Sequence, residues 1–341
     1  MENTLQDKSV LYIAPRFFGY EDEIRDELIR RGAHVDFLLD RPFKSPFLKA
    51  LTRIRRGWVI GAANRYYEKK TRVLVDRDYD FVFVISGQTL SDLTLTRWRN
   101  RYRKAIFVLY MWDSFSNRRW IVDNLHFFDH KFSFDRNDSE KYNIYFRPLF
   151  FSSGFHGQQE VAHEWDVSFI GTVHSDRFAV ISKIAKTFDP SVRPFWYLFL
   201  QAKWVYWLYF LIKSSYRNTK ASDFKFEPLE KGSVQAAFKS SKTILDIEHP
   251  KQTGLTMRTL ETLGARKKLI TTNISIKEYD FFNENNICVI DREIPTVPRT
   301  FLESTYVELD CEIYHKYSLK GWMDEIFLEI KNKSDPDKPP R

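Results

Sequence analysis

Short apolar runs, each followed by a stretch of helical periodicity, recur in two series along the chain, and this alternation constrains the fold more than any other feature. Val10–Ala14 reads as a buried strand. Glu21–Arg31 follows as a helix, with Ile24, Leu28 and Ile29 on one face and Gly32 at its end. Strands are expected at His34–Leu39, Asp80–Ile85 and Ile106–Met111, with short ones at Phe132–Phe134 and Tyr145–Arg147. Helical material is expected from Phe47 to about Val75 and from Ser91 to Lys104. A polar break from Phe151 to Glu164, carrying Gly154 and Gly157, interrupts the pattern, which then restarts. Asp166–Ile170 is a strand, Gly171–Asp176 a loop and Arg177–Lys186 a helix. Strands at Thr243–Ile247, Lys268–Thr271 and Ile287–Ile290 and helices at Met257–Leu263 and Tyr317–Ile330 complete the series. Strands separated by helices need crossover connections, so both series imply parallel α/β sheets. At about 150 residues per domain, 341 residues make two. The expected division is a Rossmann-like domain over 1–155, a second over 156–331 and a flexible tail over 332–341.

Composition removes several classes. A hydrophobic content of 43% supplies ample core material, so wholesale disorder is excluded. Cys288 and Cys311 are the chain's two cysteines, which excludes a disulfide scaffold or a structural zinc centre and fits a reducing, cytoplasmic compartment. Met1–Ser9 is polar and acidic, unlike a secretory leader. Pro194–Ile212 is the most apolar stretch, but Gln201 and Lys203 interrupt it and it is rich in Trp and Tyr. It reads either as a buried helix or as a segment at a membrane interface, and poorly as a spanning helix. The net charge of +8 is concentrated in basic runs at Arg53–Arg56, Arg97–Lys104 and Arg118–Arg119. Such runs are most simply solvated helix faces; anionic lipid head groups on the inner leaflet are the specific partner they suit. No helix-turn-helix, RRM, KH or zinc-finger signature accompanies them, so nucleic acid is not expected.

In open α/β sheets ligands bind beyond the carboxyl ends of the strands, and three such loops carry chemistry. Pro15-Arg-Phe-Phe-Gly-Tyr-Glu21 lacks the GxGxxG fingerprint, but Arg16 and Gly19 precede a helix N-terminus and are candidates for an acceptor or phosphate loop. Gly171, Thr172 and Arg177 follow the strand that restarts the pattern. Glycine permits close backbone approach, and arginine offers a fork for phosphate oxygens. The richest segment is Ile244-Leu-Asp-Ile-Glu-His-Pro-Lys-Gln-Thr-Gly-Leu-Thr-Met-Arg-Thr-Leu-Glu261, running on through Leu263-Gly-Ala-Arg-Lys-Lys-Leu-Ile-Thr-Thr-Asn273. Thr253-Gly254-Leu255-Thr256 would open a helix with its amides free for a diphosphate. Arg258 lies one turn in, and Glu261 shares its face, either as a carboxylate for a ribose diol or as the partner of an i,i+3 salt bridge.

These segments, with Tyr279-Asp-Phe-Phe and Asn286-Ile-Cys-Val-Ile290, resemble bacterial GT-B glycosyltransferases, in particular the CgeB-like and group-1-like transferases of capsule, O-antigen and lipopolysaccharide biosynthesis. The resemblance covers Asp166 to Asp291; over the first 150 residues it is topological. It implies two Rossmann-like domains with parallel sheets facing across a cleft and a C-terminal helix closing back. It also implies an N-terminal domain for a glycan acceptor, lipid-linked in some cases, and a C-terminal domain for a UDP- or GDP-linked sugar. By resemblance Gly171, Thr172 and Arg177 border the diphosphate, and Gln252, Thr253, Gly254, Leu255 and Thr256 wrap phosphates and sugar. Arg258 neutralises phosphate, and Glu261 holds the ribose. The retaining pattern of two glutamates eight positions apart is broken, because Thr253 stands at the first position. The Asp-x-Asp triplet Asp76-Arg-Asp78 has an Arg between its acids and reads as a turn before a strand, so neither a catalytic metal nor a cofactor is expected. Asp113 and then Glu21 are the candidate general bases, and His249 is a candidate contact to the donor sugar. A non-catalytic assembly protein on a degenerate GT-B fold is the alternative.

Overall fold

The protein is described by a computed structural model covering residues 5–43, 57–74, 77–156, 162–250 and 252–333. The basic cluster at Arg53–Arg56, Asp76, Gly157 and the tail beyond residue 333 lie outside the described residues. The chain forms two compact units, Met1–Pro148 with Leu319–Arg341, and Leu149–Ser318.

The first unit runs β1 (Ser9–Ala14), α1 (Tyr20–Arg30), β2 (His34–Leu39), α2 (Gly57–Val73), β3 (Phe81–Ile85), α3 (Asp92–Arg101), β4 (Ile106–Met111), β5 (His130–Ser133), α4 (Arg136–Tyr142) and β6 (Tyr145–Phe146). The sheet order is β2-β1-β3-β4-β5-β6, with every neighbouring pair parallel. Val10 to Ala14, Val82 to Ile85 and Phe107 to Met111 are all fully buried, as central strands covered on both faces must be. The order reverses between β1 and β3, so the loops after these strands flank the switch point of this sheet.

The second unit runs β7 (Trp165–Thr172), α5 (Arg177–Ala185), β8 (Pro194–Phe199), α6 (Lys203–Ile212), α7 (Lys231–Lys239), β9 (Ser241–Asp246), α8 (Met257–Gly264), β10 (Lys268–Thr271), β11 (Ile287–Val289), α9 (Arg299–Glu303) and α10 (Cys311–Lys316). Its sheet is β11-β10-β9-β7-β8, again wholly parallel, and it reverses between β7 and β9.

The last helix, α11 (Leu319–Lys333), belongs to the first unit, although the expected boundaries put it with the second. Its Trp322 stands edge-on to Tyr110 with centroids 4.7 Å apart, and Phe327 packs on Phe81 and Phe83. The buried Arg31 ends α1 and ties the helix down, pairing with Asp324 at 2.7 Å and Glu27 at 2.8 Å and donating to the Lys320 carbonyl. A charge this deep persists because every arm of its fork has a partner.

One sequence expectation is corrected. Pro194–Ile212 is not one helix. Its first six residues are edge strand β8, whose register is fixed against β7, and the helix begins only at Lys203. Among the described residues no helix is long and apolar enough to cross a membrane. In the basic run Arg97–Lys104, Arg97, Arg103 and Lys104 are exposed, while the other cations are engaged within the unit. Trp98 and Tyr102 are core residues. Arg99 donates to the Phe127 carbonyl and pairs with Asp129, while Arg101 closes the carbonyls of Thr71 and Leu74. These cations serve helix ends and turns of their own unit.

Candidate functional site: an anion site at the switch point of the second sheet

The loops after β7 and β9 meet at the switch point of the second sheet, and the charged residues there form one connected group. Asp246, the last residue of β9, is 1% exposed. Its carboxylate accepts from the Thr256 hydroxyl (2.6 Å), the Thr259 hydroxyl (2.7 Å) and Arg258 Nη1 (3.1 Å). Thr256 is the N-cap of α8, its Oγ1 accepting the Thr259 amide. One buried acid therefore fixes both the helix start and the arginine in its first turn. A helix start capped in this way still leaves first-turn amides, those of Met257 and Arg258, without an intrahelical acceptor.

Arg258 thus has its charge compensated, which the sequence reading did not anticipate. It keeps 18% side-chain exposure and lies across the end of β7. A Cβ on Gly171 would sit 2.5 Å from Arg258 Nη2, so this close passage requires glycine there. Arg177, at the start of α5, is in the opposite position. Its Nη1 donates to the Thr172 carbonyl at 3.2 Å, its buried Nε has no hydrogen-bond partner, and no acid pairs with it among the described residues. Burial and then the neighbouring Arg258 bring its guanidinium down to about 10. His174, three residues before Arg177, is pushed down to about 4 by burial and then by Arg177, His249, Lys213 and Arg258, so it is neutral at pH 7. Its ring lies 6.1 Å from that of His249. The loop therefore presents a half-buried guanidinium with no directly paired acid, two imidazoles and a helix N-terminus, a set of groups that suits a phosphate or diphosphate.

The remaining loop residues are braced. Gln252 donates to the Gly254 carbonyl at 2.8 Å, and Asn273 reaches the Thr253 carbonyl at 3.1 Å. The Leu255 side chain is buried in the core, so its backbone alone can face a ligand. Glu261 is 8% exposed. The i,i+3 salt bridge to Arg258 does not form; no hydrogen bond or ion pair reaches the Glu261 carboxyl among the described residues, and burial alone raises it to about 8. Sequence reading missed Asp246, His174, Glu248 and Arg292. Arg292 pairs with Glu248 and, at 2.8 Å, with Asp176, and Glu248 also accepts from Thr272 at 2.5 Å. The missed signal for Asp246 was its place as the last apolar-strand residue ahead of a Thr-rich helix start.

In the first unit, Glu21 lies in the first turn of α1 and Asp113 in the loop after β4. Glu21 is buried, and its Oε2 accepts the Phe17 amide at 2.9 Å, bracing a turn in which Phe18 and Gly19 have φ of +52° and +79°. Glu21, Asp22 and Glu23 occupy the first turn of α1. The N-terminus beside Arg16 and Gly19 is therefore already satisfied by the chain's own acids, which disfavours a phosphate there. Asp113 pairs with Arg118 at 2.8 Å and accepts from Ser114 N and Asn117 Nδ2, both at 3.0 Å. Acting as a base, it would have to leave the Arg118 pair. No group of three or more His, Cys, Asp or Glu able to hold a metal ion occurs among the described residues.

Gly171→Ala tests the geometry. The added methyl must shift the Arg258 guanidinium, which also pairs with the buried Asp246, so stability is expected to fall by about 1–3 kcal/mol although the strand position has no positive φ. Affinity for an inorganic or organic diphosphate is expected to fall about tenfold, read by titration calorimetry beside a thermal melt.

No protein-family model matches the chain, and no curated protein matches it. Solved structures do. UDP-GlcNAc 2-epimerase from Neisseria meningitidis bound to UDP-GlcNAc aligns with a TM-score of 0.51 at 12% identity, over 95% of this chain and 99% of that one. Acinetobacter baumannii MurG aligns at 0.46 and 8% identity, over 95% and 98% of the two chains. The calicheamicin glycosyltransferase CalG4 aligns at 0.43 and 12%, over 96% and 97%. At such identities the likeness concerns the fold: two parallel-sheet α/β units of the GT-B class, six strands and five, with the last helix returned to the first unit.

Proposed function

We propose that the chain is a glycosyltransferase that takes a sugar from a nucleoside-diphosphate donor and passes it to a growing surface glycan of the capsule, O-antigen or lipopolysaccharide kind. The observation that carries this reading is Arg177, a half-buried guanidinium without an acid in the loop beyond β7, beside the amides that open α8. Breaking a sugar–phosphate bond builds negative charge on the departing diphosphate. Arg177, with Arg258 held in place by Asp246 and the first-turn amides of α8, meets that charge in a preorganised setting. Gly171 and Thr172 border the phosphates, Gln252 to Thr256 wrap phosphate and sugar, and His249 faces the donor sugar. Glu261, a buried acid without a partner, receives the ribose hydroxyls. The donor is UDP- or GDP-linked, no further cofactor or metal takes part, and the acceptor is a glycan, lipid-linked at an anionic inner-leaflet surface. Asp113, once released from Arg118, is the acid proposed to take the acceptor proton, ahead of Glu21.

Titration calorimetry with UDP, GDP, ADP, TDP and CMP tests the reading. Micromolar binding of one nucleoside diphosphate supports it, and no binding by any of them overturns it. A second reading, a non-catalytic assembly protein that keeps the nucleotide site, is favoured by one observation: both candidate bases already satisfy groups of their own unit. Nucleotide binding with neither donor hydrolysis nor transfer across a broad acceptor panel would select it.

A further inference from the structure

Helix α6 is apolar on both sides. Val205 and Tyr206 point into the core of the second unit, with Tyr209 and Phe210 packed against it. The opposite face carries Trp204, Trp207, Leu208, Leu211 and Ile212, exposed by 43% to 74%. These residues follow the spacing i, i+3, i+4, i+7 and i+8, so they form one continuous stripe of the helix surface. A stripe of five large side chains left in water is far from the scattered single apolar residues of an ordinary surface.

The surroundings of the stripe identify what covers it. No acid occurs from Pro190 to Ser222, while Arg193, Lys203, Lys213, Arg217 and Lys220 all fall within that span. Lys203 opens the helix, and Lys213, Arg217 and Lys220 follow its end. Lys213 is held by the Ser175 carbonyl and lies 4.1 Å from the Tyr209 ring centroid. Lys203, Arg217 and Lys220 are exposed and have no ion pair among the described residues. A protein partner for such a face would have to bring acids to its rim and a large apolar patch to its centre. An anionic bilayer offers both at once: acyl chains for the stripe, an interfacial zone for indole rings and head-group charge for the cations. A ten-residue helix is too short to span and suits lying in the interface plane.

We propose that the outer face of α6 docks the second unit on an anionic lipid surface, Trp204, Trp207 and Leu211 entering the head-group boundary and Lys203, Arg217 and Lys220 pairing with lipid phosphates. The surface lies in the segment Pro194–Ile212, for which the sequence left open a buried helix or a membrane interface, and not in the run Arg97–Lys104, whose Arg99 and Arg101 are engaged within the first unit. The inference stands apart from the nucleotide reading, because binding to lipid needs no donor.

Co-sedimentation of the full chain with extruded vesicles tests it. Vesicles of equal phosphatidylcholine and phosphatidylglycerol are expected to retain the protein at 100 mM salt, with a blue shift of Trp emission; pure phosphatidylcholine should retain at least fivefold less. The triple variant Trp204→Ser, Trp207→Ser, Leu211→Ser should lower partitioning at least tenfold while its far-ultraviolet dichroism and thermal midpoint stay those of the parent, since all three side chains are exposed. Lys203→Glu with Arg217→Glu and Lys220→Glu should remove the preference for phosphatidylglycerol. No retention on anionic vesicles, or retention that the triple variant leaves unchanged, would overturn the proposal. So would light scattering that finds a dimer dissolved by the triple variant in the absence of vesicle binding, since the stripe would then belong to a second copy.

Discussion

Arg177→Met is expected to lower affinity for a nucleoside diphosphate about a hundredfold while leaving the melting temperature unchanged or higher. The two halves of this result come from one fact, that no acid pairs directly with Arg177 among the described residues, Asp246 and Glu248 offsetting its charge only in part. A charge-assisted fork to phosphate oxygens contributes about 2–3 kcal/mol, which is the hundredfold. Without an anion, the same group is a half-buried cation pulled below its ordinary pKa by burial and by Arg258. The fold therefore carries a penalty on the order of 1–2 kcal/mol, after discounting for the part of the side chain that water screens. The sign follows from linkage: a base whose folded pKa lies below its unfolded value destabilises the fold at every pH at which the unfolded chain is protonated, here throughout the neutral range. Methionine keeps the aliphatic packing and removes that penalty. Arg258→Ala makes a poorer test. It would strand the Asp246 carboxylate, 1% exposed, with two hydroxyls as its remaining partners, and losing one member of a buried pair costs about 3–5 kcal/mol. An Arg177→Met protein that bound diphosphate as the parent does would remove the main support for the donor site.

The sequence made some of this legible and hid the rest for identifiable reasons. β7 with its loop and α5, and β9 with its loop and α8, were readable because each joins a short apolar run, a Thr- or Gly-bearing turn and a helical period, all within about 20 residues. The role of Gly171 as a passage for Arg258 was not readable, because the two residues lie far apart in the chain and meet only through the pairing of β7 with β9. The same distance hid the Arg292 pairs with Asp176 and Glu248. Arg258 and Glu261 show the limit of helical spacing as a guide. Three residues apart on a helix, they are placed to pair, yet the buried Asp246 offers Arg258 a carboxylate already fixed by two threonines. α6 was misread for a different reason. An unbroken aromatic run carries no period, so neither the strand–helix junction at Leu200–Ala202 nor the outward stripe could be separated by pattern alone.

Glu261→Gln should stabilise the protein at pH 8, leave it unchanged at pH 4, and weaken nucleotide binding about tenfold. Burial holds the Glu261 carboxyl at about 8, against an ordinary value near 4.5. Between these two values the unfolded chain has released a proton that the folded chain keeps, so raising the pH favours unfolding across that window. Below about 4.5 both states are protonated and the penalty vanishes; above about 8 it is complete, on the order of 5 kcal/mol, each pKa unit being worth about 1.4 kcal/mol. Glutamine has no proton to lose, so the gap between the two melting curves should open as pH rises from 4.5 to 8. An acid that destabilises its own fold and satisfies no group in it is expected to serve a ligand. Two ribose hydroxyls donating to the carboxylate would favour its ionised form, so nucleotide binding near pH 6.5 should release up to one proton. That release appears as a dependence of the calorimetric enthalpy on the ionisation heat of the buffer, and Glu261→Gln should abolish it. Proton release that persists in the variant would assign it to another group, and unchanged affinity would remove Glu261 from the nucleotide site.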